Sequence, residues 1–340
     1  MADSGGHWLN LAEVQKLSQA ELMAGVVDIA PKRTPLWGEL PMRQIRGTSL
    51  KWNRSNARRI LSRLAFGGQL TWSDNVSYTQ MDVALAQFYD QTPLNKFVRD
   101  TYDNINNYEA QQLLELRVGV VEGLNDALVY DDVDYTTTHM RGFHHWAVDN
   151  TTKDGDIDEG EGPLSLINVR TILDYMKHGT DFMAMSYNLA RYIDQYYQDA
   201  GPASYASTMG RIIWAPSDLG IPMPIWAGHP IIRTDYLVAE QANTGVGSDV
   251  RAKQTSGDDQ YSILFVKRGA GTMQMVDPGA MVLFGGEGRG EGEIFTTTYF
   301  PNLEDYDAAG LRVTAYASLA VGSPLSICRL YDIELGIPTP

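Results

Sequence analysis

Between Arg43 and Arg63 the chain carries seven basic residues, Arg43, Arg46, Lys51, Arg54, Arg58, Arg59 and Arg63, and not one carboxylate. The 340-residue chain as a whole has a net charge of −15, so setting those seven positive charges aside leaves −22 on the remainder. Solubility alone favours a surface of mixed sign. A one-sign finger on a chain of the opposite sign points to an acidic partner, and a second copy of the same chain is one. The segment itself reads as a hairpin. Ser49-Leu50-Lys51-Trp52-Asn53 alternates as a strand, and Gln69-Leu70-Thr71-Trp72 is expected to return after Gly67-Gly68. Two strands alone are marginal in water, so a neighbour is needed to hold them.

The charge balance limits the partners. A surface that negative repels nucleic acid and anionic lipid over a Debye length of about 8 Å. Binding of nucleic acid by the arm alone stays open, because Trp52 sits among the arginines and offers a ring on which a base can stack. No apolar run approaches the roughly 20 residues that span a bilayer, so no membrane is expected. The N-terminus lacks a basic segment followed by an apolar one, and no secretory signal is read there. Cys328 is the only cysteine. An internal disulfide is therefore impossible, which suits assembly in a reducing cytoplasm, and a buried structural thiol is expected.

Along the chain, Ser18-Gln19-Ala20-Glu21 is a capping box, followed by Leu22, Val26 and Ile29 at near-helical spacing and stopped by Pro31. From Asn104 to about Tyr130, Leu113, Leu116, Val120, Leu124 and Leu128 recur every three or four residues. Leu114 and Val121 widen that stripe of a long amphipathic helix. Asp131 and Asp132 follow its end, against the helix dipole. A second helix holds Leu166, Val169, Ile172, Leu173 and Met176, and closes at Lys177-His178-Gly179. Asp181–Tyr187 reads as a short buried strand, after which Asn188 is expected to cap a third helix. "RIIWAP", "PIIRTDYLV", "YSILFVKRG", "GTMQMVD", "EIFTTTYF", "LRVTAYASLAV" and "PLSICRLYDI" are strand-like. The class is α+β, with the last strands returning to a sheet near the long helix.

Signs of catalysis are few. There is no nucleophile elbow, Walker loop, zincin helix or paired-cysteine site in the sequence, and no cofactor is expected. "FGGEGRGEGEIF" has neither phosphate-loop spacing, and its glutamates repel phosphate; a hinge or surface loop fits better. His139, His144 and His145 cluster in "HMRGFHHW". In a strand His144 and His145 would point to opposite faces, so packing rather than metal ligation is expected of them. "NTTKDGDIDEGE" is a candidate twelve-residue calcium loop with Asn150, Asp154, Asp156, Asp158 and Glu161 as the oxygen donors. Asn150 and Thr152 stand where acids are usual, and a solvated acidic loop is the default reading.

Taken in order, these pieces resemble the major capsid protein of tailed bacteriophages of the Hong Kong 97 type. The likeness begins at "LSQAELMAGVVDIAPKRTPLWGELPMRQIRGTSLKWNR", a helix, a proline turn and a strand entering a long hairpin. It continues through "DALVYDDVDYTTTHMRGF", with Tyr130-Asp131-Asp132 where a Gly-Asp pair is commoner, then "PIWAGHPIIRTDYL" and the closing strand "SPLSICRLYDI". The resemblance implies a Hong Kong 97-like fold: an N-terminal arm (1–41), an extended β-hairpin loop (42–80), a peripheral domain with a spine helix (81–140), an axial domain (141–292) and return strands of the peripheral domain (293–340). It implies a non-enzymatic shell subunit assembling as a homo-oligomer of hexamers and pentamers into an icosahedral head around double-stranded DNA, assembled in the host cytoplasm.

Expected partners are a portal protein, a decoration protein and a separate scaffolding protein, since only some forty residues precede the hairpin. Intersubunit contacts are expected from the seven basic residues together with Trp37, Trp52 and Trp72, and apolar area buried by the arm and hairpin should dominate their energetics. Lys51 lies within a strand rather than at the tip, which argues against a covalent intersubunit cross-link. A nanocompartment shell subunit of the encapsulin type shares the fold and is the alternative. A nucleic-acid-binding module acting through the arm is the reading from a different class.

Overall fold

A computed structural model describes residues 32–339, apart from 56–60, 62, 65, 70–76, 103–107, 135, 149–154, 200–212, 217–221, 227, 244–246, 256, 258, 271–277, 287–292 and 304–305. The capping box at Ser18, the strand "GTMQMVD" and the end of the third helix at Gly201 lie outside the described residues.

Three sheets and five α-helices organise the rest. A five-stranded sheet is built on β15 (Ala308–Val321), which pairs antiparallel with β4 (Ala86–Asn95), β13 (Ala280–Gly285) and β14 (Phe295–Phe300). β1 (Met42–Ile45) adds to β13 in parallel. Helix α1 (Lys96–Tyr102) follows β4, and the long helix α2 (Tyr108–Tyr130) lies against β4 and β15. The buried row of β15 mixes Ala309, Ala315 and Ala317 with Leu311, Val313 and Leu319. Leu116, Val120, Leu124 and Leu128 of the expected stripe are buried there. Leu114 and Val121, expected to widen it, are exposed instead.

The nine-stranded sheet has β12 (Gln260–Val266) near its centre, paired with β6 (Phe182–Ser186), β10 (Glu240–Asn243) and β16 (Ile327–Thr339). β9 (His229–Thr234), β8 (Pro222–Trp226) and β7 (Ile213–Pro216) continue it beyond β6. β11 (Gly247–Lys253) flanks β10, and β5 (Asp156–Ser165) runs parallel to β16. β6 is buried at every position and β12 from Tyr261 to Val266, as strands covered on both faces should be. Helices α4 (Leu166–Tyr175) and α5 (Tyr187–Asp199) pack Val169, Ile172, Leu189 and Ile193 into the core on this sheet. Ser186 rather than Asn188 caps α5, its Oγ accepting from the Leu189 N–H at 3.2 Å. Cys328 is buried and forms no disulfide.

Short helix α3 (Phe143–Val148) sits between the two sheets, where a strand would have put His144 and His145 on opposite faces. Both rings are instead buried. The change of sheet does not fall at residue 293, because β13 shares a sheet with β14 and β15 while β16 belongs to the other.

The hairpin is a separate two-stranded sheet, β2 (Ser49–Ser55) with β3 (Tyr78–Ala84), in register Ser49↔Ala84 to Ser55↔Tyr78. The return strand therefore comes later than 69–72. Alternation explains the choice: Trp52 pairs with Met81 and Leu50 with Val83, which puts four apolar side chains on one face.

Candidate assembly surface

The basic segment divides into an inward and an outward part. Trp37 is buried with Leu36 and Leu40, and its backbone N–H donates to Asn125 Oδ1 at 3.0 Å. Trp52 is only 8% exposed, with its Nε1 lacking a hydrogen-bond partner among the described residues. Arg54 reaches across to the end of β15, where Nε donates to the Gly322 carbonyl at 2.8 Å and NH2 to that of Val321 at 2.7 Å. Its guanidinium also lies over the rings of Trp52 and Trp146, 5.8 and 5.6 Å from their centroids. These three residues, expected at intersubunit contacts, are held within their own chain. A base cannot stack on Trp52 in this arrangement. Lys51 pairs across the hairpin with Asp82 at 3.5 Å, both side chains largely exposed.

Arg46 and Arg63 are exposed, and Arg43 is half-buried on β1. Beyond β2 the exposed residues turn apolar: Leu61 is 88% exposed, Leu64 54%, and Phe66 fully. An arginine interleaved with three bare hydrophobes is the composition of a buried interface rather than of a solvated loop. Arg58, Arg59, Ile60 and Trp72 lie outside the described residues.

A groove of about 1130 Å³ opens beside the hairpin, lined among others by Asp82, Val83, Phe88, Asp126, Tyr130 and Asp131. Its carboxylates are already engaged. Asp126 meets Lys253 at 2.6 Å and Lys32 at 3.4 Å, and Asp131 accepts from the Met140 N–H at 3.3 Å. Burial nevertheless pushes the Asp131 carboxyl above its ordinary value, against the pull of His139.

The acidic stretch does not make the proposed calcium loop over its described half. Asp156, Asp158 and Glu161 belong to β5, an extended strand. Asp156 receives two hydrogen bonds from Arg329, Asp158 Oδ1 accepts from the Gly160 N–H at 2.7 Å, and Glu161 Oε1 accepts from Gln260 Nε2 at 3.2 Å. Asn150 and Asp154 lie outside the described residues.

Sequence reasoning missed a buried polar assembly where α2, α3 and the nine-stranded sheet meet. Arg329, 0% exposed, donates to Asp156 and, from NH1, to His144 Nδ1 at 3.1 Å. A guanidinium only donates, so Nδ1 accepts and the ring proton sits on Nε2, 3.3 Å from Glu240 Oε1. Tyr130 donates to the same oxygen at 3.0 Å, and Ser262 donates to Oε2. Burial by itself pushes the Glu240 carboxyl up, but the His144 ring and the bonds from Ser262 and Tyr130 outweigh it and leave the group below its ordinary 4.5. Burial, then the Glu240 charge, pushes the Tyr130 hydroxyl well above its usual range. The assembly ties the end of α2 and the short helix α3 to four strands of the nine-stranded sheet, β5, β10, β12 and β16.

A long helix on a five-stranded sheet, a nine-stranded sheet tied to that helix by a buried polar lock, and a basic hairpin forming a sheet of its own make the Hong Kong 97-type capsid fold. Solved structures with this fold include the SrpI encapsulin of Synechococcus elongatus PCC 7942, with a TM-score of 0.64 at 14% identity over 98% of this chain and 99% of that one. The capsid of the native GTA particle gives 0.60 at 12% over 98% of both chains, and that of the cyanophage P-SCSP1u 0.53 at 12% over 93% of both. No protein-family model and no curated protein sequence matches the chain.

Proposed function

We propose that this chain is a phage major capsid protein that assembles as hexamers and pentamers into an icosahedral head around double-stranded DNA. The observation that carries the reading is the segment beyond β2, where Leu61, Arg63, Leu64 and Phe66 are exposed together on a chain whose remainder is acidic. Such a segment laid on a sibling makes a heterologous contact, and heterologous contacts close into rings. The hydrophobes supply affinity and the arginines orientation and rate. On this reading residues 1–41 are an arm and 42–80 the extended loop, whose part beyond β2 crosses to the neighbour. The five-stranded sheet with α2 forms the peripheral domain and the nine-stranded sheet the axial domain, so β13 belongs to the former and β16 to the latter. Arg43, Arg46, Lys51, Arg58, Arg59, Arg63 and Trp72 face the sibling. A portal, a separate scaffold and a decoration protein are the partners, assembly occurs in the host cytoplasm, and the subunit has no catalytic role.

A nanocompartment shell enclosing cargo enzymes is the second reading, favoured by the likeness to the SrpI encapsulin. Electron microscopy of the purified chain, alone and with its scaffold, decides between them. Closed shells large enough for a genome are expected, and small uniform shells without nucleic acid would favour the compartment. A chain that stays monomeric at high concentration under all these conditions would sink both.

A further inference from the structure

We infer that Asp132, Asp134 and His145 form a site for one divalent transition-metal ion of the zinc class, which pins the turn after α2 onto α3. One ligand atom from each residue lies within 4.8 Å of the other two, close enough for one ion to draw together. Asp132 is 2% exposed. Its Oδ1 accepts from the Asp134 N–H at 2.8 Å and sits 2.9 Å from His145 Nδ1. Its Oδ2 is buried and takes no hydrogen bond among the described residues. A bare oxygen on a buried carboxylate is costly, and native structures explain such atoms by an ion or a water.

The surroundings favour an ion. Asp132 stands just past the C-terminal end of α2, where the helix dipole repels an anion, and the His145 ring faces it. Asp134 is exposed, giving the ion a route from solvent and leaving room for a water to complete four-coordination. One imidazole with two carboxylates selects zinc, cobalt or manganese over calcium and magnesium, which prefer oxygen alone. Ligation through Nδ1 requires that nitrogen to give up its proton, which passes to Nε2 or, from the imidazolium, to solvent. The turn being fastened already folds back on itself, with the Gly142 N–H bonded to the Asp131 carbonyl at 2.9 Å and the Thr136 N–H to that of Asp132 at 3.3 Å.

The test uses the full chain, stripped with a chelator and titrated with zinc by calorimetry and with cobalt by visible absorption. Uptake near one ion per chain is expected, with intense cobalt bands and a raised melting temperature. Asp134→Ala removes an exposed ligand without disturbing the core and should weaken binding by about ten- to a hundredfold. His139→Ala should leave binding unchanged, although His139 lies 3.8 Å from Asp131. No uptake of either metal would overturn the site, leaving a buried water on Oδ2. Binding that survives Asp134→Ala, or that is lost with His139 instead, would overturn it equally.

Discussion

Arg54 of the hairpin and Gly322 at the end of β15, far apart in sequence, are joined by an Nε–H to carbonyl bond of 2.8 Å. The hairpin is thus fastened to the body of its own subunit at the far end of its paired strands, where Arg54 lies opposite Thr79. Arg54→Ala should therefore lower the stability of the isolated subunit by about 2 kcal/mol, the scale for charge-assisted hydrogen bonds. Chemical denaturation of the unassembled chain measures it. An unchanged midpoint would mean that the loop end of the paired strands is not docked.

The exposed cations should behave in the opposite way. Arg46→Glu with Arg63→Glu reverses two charges that lie on the surface, so subunit stability should shift by no more than about 0.5 kcal/mol. Assembly should fail, because like charges then meet across the contact. Sedimentation analysis of the variant reads this out. Particles at the wild-type yield would show that the segment does not lie on an acidic sibling.

Much of the fold is legible in the sequence where a single requirement shapes it. Leu116, Val120, Leu124 and Leu128 face one sheet, so their spacing carries the helix, and the apolar run Tyr261–Val266 reads as a strand because both its faces are covered. The hairpin's return strand was less legible. Tyr78–Ala84 buries only Val83 fully, and its pattern competes with that of Gln69–Trp72. Least legible was the division of the basic segment. A count of arginines cannot tell Arg54, which meets carbonyls at Val321 and Gly322, from Arg63, which is exposed. Likewise "FHHW" hides a buried lock, since the partners of His144 come from β10 and β16, distant in sequence.

That lock gives a third prediction. Arg329 is fully buried between Asp156 and His144. Arg329→Met keeps volume but leaves the carboxylate unpaired, and losing one partner of a buried pair costs about 3–5 kcal/mol. Thermal unfolding of the isolated chain should show a large drop, partly restored by adding Asp156→Asn. A double variant no better than the single would show that packing, not charge, holds the site.

Trp52 separates two roles by its indole nitrogen. Nε1 is buried without a partner among the described residues, so Trp52→Phe removes an unsatisfied donor and keeps most of the ring. Its effect on stability should be within about 1 kcal/mol, whereas Trp52→Ala should cost about 3–5 kcal/mol from the cavity left behind. Denaturant melts of both variants give the comparison, and an alanine variant as stable as wild type would place the ring outside the core.

Acid should release the lock through Glu240. Its folded carboxyl lies below the ordinary 4.5, so the unfolded chain binds the proton more readily. The stability it contributes is complete above that ordinary value and is lost as pH falls through the folded one. Asp131 works in the opposite sense, because burial raises its carboxyl and folding then gains as the pH falls toward its ordinary value of 3.8. Melting temperatures from pH 7 to 3 should therefore fall less steeply at the acid end in Glu240→Gln than in wild type, from a lower starting point at neutral pH. The variant amide still accepts from Tyr130 but presents a donor as well, which is why the neutral-pH loss is expected even though shape is kept. Parallel acid limbs for the two proteins would mean that Glu240 enters the folded state with no preference for its charged form.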